Sequence, residues 1–228
     1  MCFSANASFI AGAALTVAGV VSVSQVRKPA HLIFACMPLF FAIQQICEGF
    51  VWTSLTNPDF ASWHEPSKYA FLVFAQVIWP FFIPLSILSI EPSPKKRKII
   101  RYFLFIGIAC SLILCYRLFF LQASAQIDGC HIAYKIGWSK IMLAITGTLY
   151  LTAIVISPFF SSWKNAVILA AVNVLSLVTT EVFYEAYLVS VWCFFAAAQS
   201  VLVVLVMRDI KKRINHVKEL ESEQEKLQ

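Results

Sequence analysis

The chain has 228 residues, of which 60% are hydrophobic and only 13% are charged. Soluble domains usually carry about a quarter charged residues, so this composition excludes an ordinary water-facing surface and predicts a lipid bilayer as partner. The net charge is +6, but lysine and arginine cluster at the ends of apolar runs, which is typical of membrane orientation and not of nucleic-acid binding. The sequence therefore predicts an integral membrane protein.

Seven apolar runs alternate with polar breaks, and each is long enough to cross a bilayer as a helix. They cover residues 8–26, 32–55, 69–90, 99–121, 141–160, 166–187 and 189–207. The predicted fold class is an all-α membrane protein, a seven-transmembrane-helix bundle formed by residues 1–207. Residues 208–228 are predicted to extend the last helix as a cytoplasmic tail, with an apolar stripe that begins at Ile210 and Ile214.

Basic residues predict the orientation of the bundle. No basic residue precedes the first run, and Arg27 and Lys28 follow it, which is the reverse of a secretory signal, so a retained helix is expected. If the N-terminus lies outside, the outer loops carry only Lys68, Lys135 and Lys140 of the 18 basic residues. Because cytoplasmic loops are enriched in lysine and arginine, we predict the N-terminus outside and the C-terminus in the cytoplasm.

Ionisable residues inside the runs predict a functional cavity. A charge at mid-bilayer costs about 3 kcal/mol and usually marks function, and the predicted orientation brings these charges into the outer half of the membrane. We expect a polar cavity, open to the outer side, that binds a small molecule or ion, with a purely structural charge network as the alternative. The predicted lining consists of Gln44, Glu48, Gln76, Trp79, Arg117, Glu181, Glu185, Trp192 and Gln199.

The second and third runs resemble the sixth and seventh when they are aligned without gaps. Glu48 then falls on Glu181, and Gln76 falls on Gln199. This alignment predicts parallel three-helix repeats joined by helix four. The layout is similar to that of SWEET sugar carriers in architecture only, because the proline-glutamine signature of those carriers is absent.

The chain opens with M-C-F-S-A-N-A-S-F, and residues 41–52 read F-A-I-Q-Q-I-C-E-G-F-V-W. Both segments resemble an uncharacterised family of small bacterial polytopic membrane proteins whose sequences open M-C-F-S-A-x-A-S-F. The resemblance covers about the first fifty residues. It implies a bacterial inner membrane and carries no activity with it.

Three classes of function remain open. The first is a proton-coupled transporter, because three acids facing one cation should not all be ionised, so that Glu48 or Glu181 would exchange a proton. The others are a sensor that signals through the C-terminal helix and a membrane enzyme that uses Cys2 or the carboxylate cluster. The pair Cys130-His131 matches no zinc pattern, so no metal site is predicted. The sequence identifies no cofactor and leaves a homo-oligomer open.

Overall fold

The computed structural model describes residues 4–226, and helices make up 85% of the structure. The α-helices are α1 (Ala5–Val23), α2 (Leu32–Ala35), α3 (Met37–Thr56), α4 (His64–Leu72), α5 (Trp79–Ile90), α6 (Pro94–Phe120), α7 (Lys140–Leu151), α8 (Lys164–Tyr184), α9 (Leu188–Ala198) and α10 (Ser200–Lys226). Short 3-10 or π-helical turns occupy Pro29–His31, Pro58–Trp63, Val73–Ile78, Thr152–Ile156, Ser157–Phe160 and Glu185–Tyr187. The strands β1 (Ala123–Asp128) and β2 (His131–Ile136) form an antiparallel hairpin.

Serine side chains mark the beginning of three long helices. Ser4, Ser93 and Ser139 stand directly before α1, α6 and α7, and each hydroxyl accepts a hydrogen bond from a backbone N–H in the first turn. Such caps satisfy donors that have no partner inside the helix. Pro94 follows Ser93 at the first helical position of α6, where its missing N–H costs nothing.

Six stretches within the described residues are long and apolar enough to cross a membrane. They are Ala5–Val23, Pro29–Thr56, Pro58–Ile90, Pro94–Phe120, Lys140–Phe160 and Lys164–Glu225. Large apolar side chains on their outer faces are exposed, including Leu112 and Phe120 on α6 and Phe183 on α8. Soluble monomers rarely expose apolar patches of such extent, and a bilayer would cover them. The protein is therefore a multi-pass membrane protein.

The last of these stretches has 62 residues and folds back on itself. The turn Glu185–Tyr187 separates α8 from α9. On either side of this turn, the amide of Asn165 donates to Asp209 at 2.6 Å and the amide of Gln199 donates to the hydroxyl of Ser176 at 3.2 Å. The helix α8 thus lies antiparallel to α9 and α10. The predicted apolar runs 166–187 and 189–207 meet next to the same turn.

The helices α1 and α3 pack closely through small residues. A Cβ atom on Gly12 would lie 2.8 Å from the side chain of Ile46, and one on Gly19 would lie 2.3 Å from the side chain of Leu39. Small residues allow such close approach between helices in lipid. The face of α3 that is turned inward carries fully buried polar groups, which are described below.

The β-hairpin was not predicted, because residues 122–140 form a polar connector between two apolar runs. Its turn contains Gly129, whose φ is 58°, and Asp128 pairs with His131 across it. Buried Ala123 and Ala125 alternate with exposed residues along β1. Alternation of period two and an Asp-Gly pair at the turn are sequence signals of a hairpin. The segment is polar, however, and contains no apolar run that would mark it as a structural element.

Candidate functional site

A cavity among the transmembrane helices lies beside Arg117, and we name it the Arg117 cavity. Its volume is about 290 Å³, and α6, α7, α8, α9 and the π-helical turn Val73–Ile78 form its walls. Most of the wall is apolar. Its polar residues are Gln76, Arg117, Thr146, Tyr150, Glu181 and Trp192.

Two smaller cavities continue inward from it. The Trp79 cavity, about 50 Å³, shares Tyr150, Trp192 and Cys193 with the Arg117 cavity. The Gln199 cavity, about 40 Å³, shares Phe41, Ile83, Ile154, Asn173 and Ala196 with the Trp79 cavity.

The three cavities therefore form a row. Along α8 the row extends from Glu181 to Leu169, which corresponds to about 18 Å at the helical rise per residue. Each cavity exceeds the roughly 15 Å³ that a water molecule requires. The row thus has the room and the polar groups to hold small polar molecules.

Five buried polar atoms on the walls of this row have no hydrogen-bond partner within residues 4–226. In the Arg117 cavity wall they belong to Gln76 (Oε1), Arg117 (Nε) and Trp192 (Nε1), and further in to Asn173 (Oδ1) and Ser200 (Oγ). A buried polar atom that is left unsatisfied costs about 1–3 kcal/mol. Native proteins usually provide such atoms with a partner, so the five side chains that carry them are suited to bind a molecule in the row.

Tyr150 and Trp192 form the wall between the Arg117 and Trp79 cavities. Their ring centroids are 6.1 Å apart, and the Tyr150 hydroxyl donates to the carbonyl of Ala75 at 2.6 Å. Ala75 lies in the π-helical turn Val73–Ile78, where the regular i→i−4 bonding is interrupted and a carbonyl can accept from another donor. Such turns are frequent at functional sites. The turn therefore fixes the position of the Tyr150 ring at this constriction.

Arg117 and Glu181 line the same cavity without forming an ion pair. One terminal nitrogen of Arg117 donates to the carbonyl of Ile136 at 2.8 Å, and its guanidinium lies 5.2 Å from the Trp138 ring centroid. Ion pairs within 4.0 Å in the described part of the chain involve only Glu65, with His64 and Lys68. The Arg117 cavity therefore presents a cation and a carboxyl group at separate places.

Glu48 belongs to a buried hydrogen-bond network that joins α3 to α9. The residue is 0% exposed, and its carboxylate accepts from the Ser190 hydroxyl at 2.5 Å and from the Gln45 amide at 3.4 Å. Gln44 accepts from the indole N–H of Trp79 at 2.7 Å. Glu48, Gln44 and Gln45 line none of the three cavities, whereas Trp79, which bonds to Gln44, lines the Trp79 cavity.

The remaining predicted residues occupy different places. Gln199 lines the Gln199 cavity, at the opposite end of the row from Gln76, and Glu185 is exposed in the turn after α8. Sequence reasoning did not select Tyr150 and Asn173. Each lies in an apolar run that also contains serine and threonine residues, so its polarity alone does not distinguish it.

The β-hairpin is fastened beside the Arg117 end of the row. Buried Lys68 donates to the carbonyl of Ala123 at 2.7 Å, and Arg117 donates to the carbonyl of Ile136, which pairs with Ala123 at the open end of the hairpin. The ring of His131 stacks on Tyr187 with centroids 4.6 Å apart. The hairpin thus connects α4, α6 and the turn after α8.

The membrane-enzyme alternative invokes Cys2 or the carboxylate cluster. Cys2 lies outside the described residues. Among residues 4–226, no group of three or more His, Cys, Asp or Glu side chains is arranged to hold a metal ion. Cys130 is exposed in the turn of the hairpin.

Comparison with known proteins shows the family of the chain. A family model described as "Family of unknown function (DUF6629)" matches residues 1–219. The chain belongs to this family. No curated protein and no solved structure matches it. The DUF6629 match includes every residue that lines the three cavities, and the family description assigns no activity to them.

In this DUF6629 chain, docking of the hairpin should depend on pH through His131. Burial lowers the pKa of His131 below its usual 6.5, and this effect outweighs the Asp128 carboxylate, which raises it. The docked hairpin therefore binds fewer protons than the undocked one, so its stability is complete above pH 6.5 and declines as the pH falls below that value. The protection factors of Ala123–Ile136 against hydrogen exchange, corrected for the intrinsic exchange rate at each pH, should be lower at about pH 5.5 than at about pH 7.5. The His131→Phe variant, which keeps a stacking ring, should lose this difference, and an unchanged pH response would contradict the assignment.

Replacing Arg117 by alanine should destabilise the protein by about 2 kcal/mol. The variant loses a charged hydrogen bond to Ile136 and the contact with Trp138, while relief of the buried charge offsets part of the loss. Lys135→Ala is the matched control, because Lys135 is exposed in the same hairpin. Thermal unfolding in detergent measures both variants, and equal melting temperatures would mean that Arg117 does not fasten the hairpin.

Proposed function

We propose that this protein is a carrier that moves a small polar molecule across the bacterial inner membrane through the row of cavities. The observation that carries the proposal is the set of five buried, unpartnered polar atoms on the walls of that row. A protein interior that serves only stability satisfies such groups. A transient ligand would satisfy them in turn as it passes from the Arg117 cavity toward the Gln199 cavity.

The length and shape of the row suit alternating access. The hydrocarbon core of a bilayer is about 30 Å thick, and the row extends over about 18 Å of α8. The Tyr150–Trp192 wall separates the largest cavity from the two smaller ones. A change in the position of either ring would connect the cavities, so this pair would act as the gate.

The chemistry of the Arg117 cavity indicates the class of ligand. Arg117 and Trp192 offer donors, and Gln76 offers an acceptor. Ligand pockets for drug-sized molecules measure about 300–1,000 Å³, so a cavity of about 290 Å³ fits a smaller metabolite. The ligand would carry an anionic group that faces Arg117 and a donor that faces Gln76 or Glu181.

The proposed carrier has seven transmembrane helices in residues 1–207, with the N-terminus outside and residues 208–228 as a cytoplasmic tail. The antiparallel arrangement of α8 against α9 and α10 supports two crossings in the last stretch. In this orientation the hairpin faces outward, where basic residues are few. A membrane-impermeant thiol reagent should label Cys130 from the outer side of intact cells, and labelling only in inverted vesicles would overturn the orientation.

Gly147 provides a variant that tests transport directly. Gly147 lines the Arg117 cavity, and a Cβ atom built on it meets nothing within 4 Å. Gly147→Phe should therefore fill the cavity without displacing its neighbours. Gly137→Phe is the matched control, because Gly137 is equally unobstructed and does not line this cavity.

The measurement is uptake of radiolabelled amino acids and small carboxylates into vesicles that contain the purified protein. At least one compound should enter vesicles with the parent protein and with Gly137→Phe, while Gly147→Phe should abolish its uptake. Uptake that survives in Gly147→Phe would show that the row is not the path. If no compound enters and yet several stabilise the parent protein but not Gly147→Phe, the cavity binds without transporting.

Binding without transport would favour a sensor, and one structural feature supports that function. The helix α10 begins at Ser200, which lines the Gln199 cavity, and continues without interruption to Lys226. A continuous helix can transmit a displacement at the cavity to the cytoplasmic tail. We rank the sensor second, because it accounts for the Gln199 cavity but requires no row of cavities.

A further inference from the structure

A cavity of different chemistry lies at the end of the bundle opposite the hairpin, and we name it the basic cavity. Its volume is about 560 Å³, and it is bounded by the connector before α2, the connector between α5 and α6, the residue before α8, and α10. Its charged residues are Lys28, Arg97, Arg213 and Lys218, against Glu91 and Glu221.

The cations of the basic cavity are not neutralised by the acids of the described residues. The ion pairs within 4.0 Å among residues 4–226 involve only Glu65, which lies elsewhere. Glu91 is buried, and its carboxylate already accepts from the backbone N–H of Ser93 at 3.0 Å and from the N–H and hydroxyl of Ser162 at 2.7 and 2.6 Å. The cavity therefore keeps a surplus of positive charge.

Arg97 is held in place by backbone groups. One terminal nitrogen of its guanidinium donates to the carbonyls of Leu88 and Glu91, at 3.0 and 3.1 Å. The other N–H groups stay available for an anion, and a guanidinium can bind a phosphate in bidentate fashion. Nearby, the Nδ1 atom of His31 is buried and has no partner in the described part of the chain. The cavity thus contains a fixed cation and an unused polar atom.

An apolar wall lies next to these charges. Ile210, Ile214 and Val217 extend along one face of α10 at helical spacing, and all three line the cavity. Trp163 donates to the carbonyl of Ile90 at 2.9 Å, and the guanidinium of Arg213 lies 5.5 Å from its ring centroid. A cationic site bordered by apolar side chains is complementary to an amphiphile with an anionic head.

We propose that the basic cavity binds the phosphate headgroup of an anionic phospholipid. Clustered basic residues beside transmembrane helices attract anionic lipids, and the apolar face of α10 would accommodate the beginning of an acyl chain. Free phosphate shares the anionic chemistry but makes no use of the apolar wall. The proposal is independent of the row of cavities and of the transport reaction.

The test uses the purified full-length protein in detergent, with dioctanoyl phosphatidylglycerol, dioctanoyl phosphatidylcholine and sodium phosphate as separate probes. Binding is measured by native mass spectrometry. Phosphatidylglycerol should bind more tightly than either of the other probes. The double variant Arg213→Gln/Lys218→Gln should weaken its binding about thirtyfold. Each basic residue near a lipid surface contributes about 1 kcal/mol to binding, and about 1.4 kcal/mol corresponds to a tenfold change in affinity.

The matched control is Arg208→Gln/Lys212→Gln, which removes the same charge from exposed positions of α10 outside the basic cavity. This control should retain the affinity of the parent. Equal losses in the two double variants would overturn the proposal, because the attraction would then depend on net charge alone. Equal affinities for phosphatidylglycerol and phosphate, or for phosphatidylglycerol and phosphatidylcholine, would also overturn it.

Discussion

Replacing Gly107 by alanine should destabilise the bundle by about 3 kcal/mol, because α5 and α6 approach each other too closely for a side chain. A Cβ atom on Gly107 would lie 2.0 Å from the carbonyl oxygen of Pro80 and 3.1 Å from the Cα atom of Phe81. Both obstacles are backbone atoms, which cannot rotate away as a flexible side chain does. The two helices would have to separate to admit one methyl group.

The sequence of α5 explains why the carbonyl of Pro80 lies next to Gly107 of α6. Pro84 is inside the helix and has no N–H to donate to the carbonyl of Pro80, four residues earlier. That carbonyl is therefore turned toward the neighbouring helix, where Gly107 leaves space for it. Proline is tolerated in a membrane helix when adjacent helices accommodate the freed backbone group.

Gly147→Ala is the matched control for this substitution. Gly147 is also a glycine within a long helix, but a Cβ atom there meets nothing within 4 Å. Alanine has a higher helix propensity than glycine, so this variant should be as stable as the parent or gain up to about 1 kcal/mol. Thermal unfolding in detergent and the yield of monodisperse protein measure both variants. An unchanged melting temperature for Gly107→Ala would mean that α5 and α6 do not cross at this glycine.

The sequence was sufficient to predict a membrane protein built of long apolar helices, because long apolar runs have few alternatives in a bilayer. Gly12 and Gly19 are seven residues apart, which places them on one face of a helix, and both lie against α3. The β-hairpin could not be predicted from the apolar runs. Its strands have the alternation of a β-structure but are stabilised by Lys68 and Arg117, which come from distant parts of the chain.

The sequence predicts how deep each site residue lies along the membrane normal, but not the direction in which its side chain points around the helix axis. The rise per residue gives the depth of each side chain along the membrane normal, which is why Glu48 and Arg117 were expected to meet. The angle around each helix axis depends on packing partners that the sequence does not specify. As a result, Glu181 lines the Arg117 cavity, whereas Glu48 accepts from Ser190 and does not line it.

Glu48→Ala should lower the free energy of unfolding by about 3 kcal/mol, because it removes a fully buried acceptor. The hydroxyl of Ser190 and the amide of Gln45 would lose this partner, and a void would remain in the face of α3. Glu48→Gln keeps a carbonyl oxygen for Ser190 and should cost only about 1 kcal/mol. The control is Glu185→Ala, at an exposed position, which should stay within about 0.5 kcal/mol of the parent.

The same variants separate a structural role of Glu48 from a role in proton coupling. Because Glu48 does not line the Arg117 cavity, Glu48→Gln should fold and retain the uptake that Gly147→Phe abolishes. Its uptake should also keep the pH dependence of the parent. If Glu48→Gln folds and melts near the parent but loses uptake or its pH dependence, the carboxyl group takes part in transport, as a proton-coupled carrier would require. If it instead melts as low as Glu48→Ala, the negative charge itself stabilises the network.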